Sequence, residues 1–175
     1  FSRMIDDPFS IARAYEDLIS YKIEKNSDEL EHSRSLDFRK SRGMFFTPRE
    51  IVAFIVENTL KAKRDKIRTL INLGRPDDAI DILLNLKIAD IACGTGSFLI
   101  ESVSTFKSMR EDIIANVKTP EIRKHQKFEI IHNLERFLEH ILNQSLYGVD
   151  TDRNAIIICK FNLIKACLPS IHEYN

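Results

Sequence analysis

Gly94 and Gly96 bracket a single residue where an apolar run, LKIADIA (residues 86–92), gives way through Cys93 to the periodic segment FLIESVSTF that follows Ser97. A short apolar run, a glycine turn and then apolar residues at helical spacing predict a strand, a tight turn and a helix. A ligand lying across the carboxyl ends of parallel strands requires such a turn, because bulky side chains there would keep backbone N–H groups away from it. It also requires a carboxylate at the end of the neighbouring strand, where an ionised acid accepts hydrogen bonds from both hydroxyls of a ribose. Asp150 stands there, closing a second short run, SLYGVD (residues 145–150).

Each of these residues also has a plainer use. A lone glycine pair is commonly a strand-to-helix turn without a ligand, and it is the strand-terminal acid that makes this pair a nucleotide-site candidate. The dinucleotide fingerprint G-x-G-x-x-G is not met: its third glycine would fall at Leu99, and its acid ~20 residues on, far short of Asp150. Cys93 lies in the turn, but no motif places a histidine or acid beside it, so turn packing is expected rather than nucleophilic catalysis. Asp90 serves equally to satisfy backbone N–H groups, Thr47 to cap a helix, and Asp152 to cap rather than to touch ligand. The five histidines are scattered, only His132 and His140 fall near one helix face, and none has metal-ligand spacing with a supporting acid.

The elements that must position these residues follow from hydrophobic periodicity. Phe9, Ala12, Tyr15, Leu18, Ile19 and Ile23 recur three or four apart, predicting an amphipathic helix over residues 9–25 that needs a partner surface, with Asp7-Pro8-Phe9 as its start. From Asn26 to Arg42 the chain turns polar and charged, a partly helical linker ending at Gly43. Thr47-Pro48-Arg49-Glu50 combines a threonine cap, a proline at the first helical position and a glutamate three residues after the cap. That helix continues to a stop at Gly74. Its five basic residues between Lys61 and Arg68 form a solvated face, with contact to DNA phosphates as the alternative.

Pro76-Asp77-Asp78 opens a short helix with acids where the helix dipole favours them. Residues 108–144 are predominantly helical, broken at Thr119-Pro120, with Phe128, Ile131, Leu134, Phe137, Leu138 and Ile141 forming one stripe. Asp152 or Thr151 caps a last helix, NAIIICKFNLIKA, that ends near Pro169. The order strand, helix, long helix, strand, helix favours a parallel pair.

Composition sets the outer bounds. Its 175 residues, 43% of them hydrophobic, suit one domain plus an arm. Twenty-six basic and 26 acidic residues cancel, so any grip on a nucleic acid is local or lies elsewhere. Three cysteines with no CxxC pair suit a reducing, cytosolic compartment. No stretch approaches the ~20 apolar residues of a spanning helix, and the first residue is Phe1 rather than Met, so a piece of a longer protein is expected.

Residues 89–99, ADIACGTGSFL, resemble the first motif of the N6-adenine DNA methyltransferases, D-P-A-C-G-S-G-x-F, with Ile91 where that family commonly has proline. GMFFTP (residues 43–48) upstream and YGVDTD (residues 147–152) downstream resemble two further blocks in the order of its gamma class. IARAYEDLIS and DFRKSRG resemble the helical lead-in of type I modification subunits and of fused type II restriction-modification enzymes. The likeness covers most of the chain and is strongest from Gly43 to Ala166.

The resemblance implies an α/β, Rossmann-like class I methyltransferase fold, here partial, with two parallel strands and a long helical crossover. It implies a helical N-terminal arm and linker over residues 1–42 and an S-adenosylmethionine-binding part over residues 43–175. By it, Thr47 and Pro48 border the methionine end of the cofactor, while Asp90 and the Cys93–Gly96 turn hold its amino-acid part, with Ala92 among the binding residues. Asp150 takes the ribose, and Thr151 lies beside the adenine ring. Members of this family flip an adenine out of the duplex and methylate its exocyclic amine, using an Asn-Pro-Pro-Tyr or close relative. No Asn-Pro or Pro-Pro dipeptide occurs here, so no catalytic residue is expected in the chain. The tetrapeptide and the target-recognition domain are expected beyond Asn175, and residues 1–175 alone are expected not to methylate DNA. Implied partners are double-stranded DNA, through regions mostly outside these residues, and a specificity subunit; no membrane is implied. Methyl transfer to RNA or to a protein glutamine uses a related fold. The alternative from another class is a non-catalytic helical module whose stripe at 128–141 docks a partner helix.

Overall fold

A computed structural model of the protein describes residues 9–19, 21–26, 29–34, 47–117 and 126–168. The block at 43–46, the Thr119-Pro120 break, Asp7-Pro8, the linker beyond Arg34, the boundary between residues 42 and 43, and the end near Pro169 lie outside the described residues. In chain order the elements are α1 (Ser10–Ile19), β1 (Tyr21–Asn26), β2 (Glu29–Arg34), α2 (Arg49–Asn72), α3 (Pro76–Asn85) and β3 (Ile88–Asp90). They are followed by α4 (Ser97–Asn116), α5 (Gln126–His132), α6 (Leu134–Gln144), β4 (Leu146–Gly148) and α7 (Arg153–Cys167).

Helix α2 starts one residue later than its sequence signal. Pro48 itself is the N-cap, extended at φ −52° and ψ 143°; its carbonyl accepts from the N–H groups of Ile51 and Val52, and no side chain caps the helix. Proline's fixed φ suits an extended cap as well as a first helical position, which leaves Thr47 outside and corrects its assignment as the cap. Val52, Val56, Leu60, Ile67 and Leu70 form the buried stripe. At the far end Gly74 takes a left-handed φ of 68°, its N–H donating to the Ile71 carbonyl and that of Arg75 to the Leu70 carbonyl, a Schellman closure. Pro76 then opens α3 with Asp77 and Asp78 in its first turn, as the sequence predicts.

One core joins α2 through α6, with Ile67, Ile80, Leu83, Phe106, Met109, Ile113, Ile131, Phe137 and Ile141 almost fully enclosed. The long stripe belongs to it: Phe128, Ile131, Phe137, Leu138 and Ile141 are buried, and only Leu134 stays 43% exposed. A stripe consumed by the chain's own core cannot dock a partner helix, so that alternative is overturned. The stripe is interrupted where the sequence showed no break: Asn133 caps α6, its side chain accepting from the Arg136 N–H at 3.0 Å. Arg110 of α4 fixes this corner by donating to the carbonyls of Ile131 and His132. Among the described residues no helix is long and apolar enough to cross a membrane.

The arm differs from expectation. Among its described residues the helix covers 10–19, and β1 and β2 pair antiparallel from Tyr21↔Arg34 to Asn26↔Glu29 where the sequence predicts a continuing helix and the start of a linker. Apolar Tyr21 and Ile23, separated and followed by charged residues, satisfy a period of two as well as a helical one. Helix α1 finds the partner it needs in α7: the Tyr15 hydroxyl donates to Asp152 at 2.8 Å, and Lys165 donates to the Ser10 hydroxyl at 3.3 Å. Phe9 is buried with the Arg49 guanidinium 5.0 Å above its ring.

Strands β3 and β4 pair in parallel, as the element order requires, with Ile88↔Leu146, Ala89↔Tyr147 and Asp90↔Gly148. Both are shorter than their apolar runs, but the ladder continues past them: the Val149 N–H donates to the Asp90 carbonyl and the Cys93 N–H to the Val149 carbonyl. The described residues are thus mostly helical with one parallel strand pair, consistent with a partial α/β fold.

Phe137→Ala is expected to cost about 3–5 kcal/mol, because a fully enclosed ring leaves a cavity. Leu134→Ala, on the same apparent stripe, is expected to cost under ~1 kcal/mol. Urea unfolding of the two variants distinguishes the core from the surface position.

Candidate functional site

The carboxyl ends of β3 and β4 bring Asp90, the Cys93–Gly96 turn and Asp150 together. Asp150 is the link: its Oδ2 accepts from the Gly94 N–H at 2.8 Å and its Oδ1 from the Asp152 N–H at 2.8 Å. One carboxylate therefore ties the glycine turn to the start of α7. Each of its oxygens keeps further acceptor capacity, since an ionised carboxylate offers about four lone-pair sites. Asp90 is arranged differently. Its Oδ1 accepts from the Ala92 N–H at 3.1 Å, the backbone-satisfying role open to it from sequence, while its Oδ2 is buried without a partner.

The two glycines do different work. Gly96 caps α4 at φ 95°, and a Cβ there would stand 2.6 Å from the Cys159 sulfur, so it is required both for its backbone angle and for close helix approach. Gly94 has φ 51° but nothing within 4 Å of an added Cβ, so its open side faces free space. Neither glycine offers its own N–H outward: that of Gly94 goes to Asp150 and that of Gly96 to the Cys93 carbonyl at 2.8 Å. Their contribution is shape and curvature rather than donors.

Behind the turn, Cys93, Leu99 and Cys159 form a small separate apolar cluster. Burial foremost, then Cys93 and the carboxylates of Asp90 and Asp150, push the Cys159 thiol up to about 12. Burial and then Asp90 likewise raise Cys93. Two hydrogen-bonded, protonated thiols enclosed against Leu99 pack the turn; a nucleophile needs the thiolate and an open approach.

The remaining candidates are dispersed. Asp152 caps α7, accepting from the Asn154 N–H at 2.9 Å, the use expected of it. Thr151 is exposed in the same connection. Thr47 and Pro48 stand at the entrance to α2, outside the hydrogen bonds that join the strand ends. His132 tilts against the Phe128 ring and the Nε2 of His140 lies 2.8 Å from the Leu84 carbonyl, so the two have separate packing roles. A depression of about 520 Å³ lined by Phe128, Glu129, His132, Asn133 and Arg136 shares no residue with the strand ends.

Sequence reasoning missed two residues. Cys159 and Asn162 lie with Ala155 on the buried face of α7, and Asn162 donates to the Thr95 carbonyl at 3.1 Å. A polar residue at the i+7 position of a buried stripe was the available signal.

Residues 32–168 match a family described as N-6 DNA Methylase. The chain is 35% identical over 133 residues to the type II restriction enzyme and methyltransferase RM.Eco57I of Escherichia coli, in an alignment that covers 70% of this chain and 11% of that protein. The chain thus spans about a tenth of the length of this relative.

Gly94→Ala is expected to lose about 1–2 kcal/mol, the cost of a left-handed backbone angle. Gly96→Ala should lose about 2–5 kcal/mol by adding the clash with Cys159, and Cys159→Ala should recover part of it in the double variant. Chemical unfolding of the four proteins supplies the cycle. The Cys159 thiol has a second consequence. Its proton is released near 9.0 in the unfolded chain but near 12 when folded, so stability is fully present below pH 9 and falls as pH rises toward about 12. Thermal unfolding between pH 9 and 11 should show a shallower decline for Cys159→Ala than for the parent.

Proposed function

This chain belongs to the N-6 DNA methylase family, and from that premise we propose that its strand-end site binds S-adenosylmethionine. The proposed reaction is methylation of the exocyclic amine of adenine in DNA, within a restriction-modification enzyme. The observation that carries this reading is the buried, unpartnered Oδ2 of Asp90 at the end of β3, the strand that leads into the glycine turn. Burying a carboxylate oxygen without a donor is unfavourable by roughly 1–3 kcal/mol or more, so such an atom marks a place where a donor belongs. The ammonium of an amino acid meets that need, and Gly94, with open space where a side chain would stand, leaves room for its backbone-like part.

On this reading Asp90, Ala92, Cys93, Gly94 and Gly96 hold the amino-acid part, and Asp150 accepts from the ribose hydroxyls with the lone pairs its backbone bonds leave free. Thr151, exposed just beyond it, borders the base, and Thr47 and Pro48 border the methionine end. The bound cofactor supplies a sulfonium-linked methyl group as the electrophile. The chain's own residues grip and orient; its sequence offers no Asn-Pro or Pro-Pro to hold the target amine, and we assign no catalytic residue to it. The family description and the named relative favour DNA over RNA or protein glutamine as acceptor. A duplex, a specificity subunit and a cytoplasmic setting complete the proposal, the last supported by free cysteines.

Titration calorimetry of the intact protein with S-adenosylmethionine is the test. Losing a hydrogen bond to a charged group costs about 1.5–3 kcal/mol, so Asp150→Ala should weaken binding roughly 10- to 150-fold. Asp90→Asn should weaken it comparably. Unchanged affinity in both variants would remove the cofactor from this site. Tritiated methyl transfer by the longer enzyme, with residues 1–175 alone expected inactive, then separates mixed-sequence DNA, RNA and protein glutamine as acceptors, with label expected in DNA alone.

A further inference from the structure

We propose that Asn162 is a positioning residue that sets the conformation of the glycine turn, an inference that rests on the cofactor reading above. Asn162 is fully enclosed in α7, and its Nδ2 donates to the Thr95 carbonyl at 3.1 Å while its Oδ1 is buried without a partner. A residue kept only for packing would be apolar here, since a buried amide with an unsatisfied oxygen is unfavourable and a leucine of the same branched shape carries no such burden. The amide is retained where its donor holds one particular peptide unit.

That unit lies between the two left-handed glycines. The Thr95–Gly96 peptide is pinned at both ends: its carbonyl by Asn162 and its N–H by the Cys93 carbonyl at 2.8 Å. Rotation of this peptide would swing a carbonyl dipole away from α7 and break the turn that Gly96 closes. Cys159, one turn earlier on the same face, lies so near Gly96 that no side chain fits between them. Helix α7 thus backs the turn at two successive contacts, steric at Gly96 and polar at Thr95. Since Asp150 leads directly into α7 through Asp152, the residue proposed to bind ribose and the residue that orients the turn move as one body.

The test compares Asn162→Leu with the parent in the intact protein, using S-adenosylmethionine as the probe and reading affinity, unfolding midpoint and the ¹⁵N–¹H resonances of Gly94 and Gly96. Asn162→Leu should bind about tenfold more weakly and shift both glycine resonances, with the unfolding midpoint little changed, because removing the orphaned oxygen offsets the lost bond to the Thr95 carbonyl. In the longer enzyme, which carries the acceptor site, kcat at saturating cofactor should be retained while KM for the cofactor rises. Ile141→Val is the control: it should lower the midpoint and leave affinity unchanged. Should Asn162→Leu not fold, Asn162→Ala carries the test, since it has no group to donate to the Thr95 carbonyl and should lose affinity to the same extent. A parent that binds no S-adenosylmethionine overturns the cofactor reading and this inference together. A parent that binds, with the Asn162 variants binding within twofold of it, overturns the inference alone. An equal loss in Ile141→Val also overturns it, by reducing the effect to general destabilisation.

Discussion

The hydrogen bond from the Gly94 N–H to the Asp150 carboxylate is the contact on which the site depends. It spans two segments far apart in sequence and meets at the one place where two three-residue strands end side by side. Strands this short provide few ladder bonds of their own, and a two-stranded pair is marginal in isolation. Asp150 supplements the ladder with a charge-assisted bond, stronger than a neutral one, on each of its oxygens. The acid proposed to hold the ligand is therefore also part of the scaffold, and affinity and stability are coupled at that residue.

Around this link the turn is held from behind rather than from within. Gly96 removes the side chain that would keep α7 away, Cys159 fills the vacated space, and Asn162 takes the Thr95 carbonyl. Gly148, on the neighbouring strand, allows the same closeness, since a Cβ there would stand 2.9 Å from Leu99 and 3.0 Å from the Cys93 sulfur. The main core is elsewhere, among α2 to α6, so the site rests on a small cluster of its own beside a large rigid body. Helix α4 connects them, beginning at the turn with Leu99 and ending in the core with Phe106, Met109 and Ile113.

What the sequence made legible was local and periodic. The strand-turn-helix at Gly94 and Gly96, the acid at Asp150, the proline start of α3 and the Asp152 cap each depend on a few adjacent residues, and each stands where its pattern places it. The misses share a different cause. Tyr21 and Ile23 satisfy two periods at once, and hairpin pairing between residues such as Ile23 and His32 is a non-local choice that no window over one segment contains. Asn133 was hidden within an unbroken apolar rhythm because its capping role depends on backbone direction, not polarity alone. Asn162 was overlooked for the opposite reason: α7 has apolar residues on several faces, so its i+7 spacing from Ala155 gains meaning only once the neighbours show which face is inner.

That last helix shows how far a hydrophobic pattern can mislead about burial. In α7 the enclosed stripe is Ala155, Cys159 and Asn162, whereas the bulkier Ile157, Phe161 and Ile164 project outward at 58, 55 and 55% exposure, as does Leu168 just past its end at 62%. Hydrophobic burial alone would turn such a helix over, since the large side chains gain most from leaving water. What holds it in the observed orientation is specific and short-range: the Asp152 cap, the Tyr15 hydroxyl on that cap, the Lys107 ammonium on the Ala166 carbonyl at 2.9 Å and the Asn162 amide on the turn. Small residues at the centre of the contact are the geometric condition for bringing a helix against a glycine turn; Ile156 and Leu163 flank them half-buried, and Ile157, Phe161 and Ile164 are left outside. The orientation of α7 thus follows from the requirements of the turn, and its outward apolar face is a consequence of building that site at the strand ends.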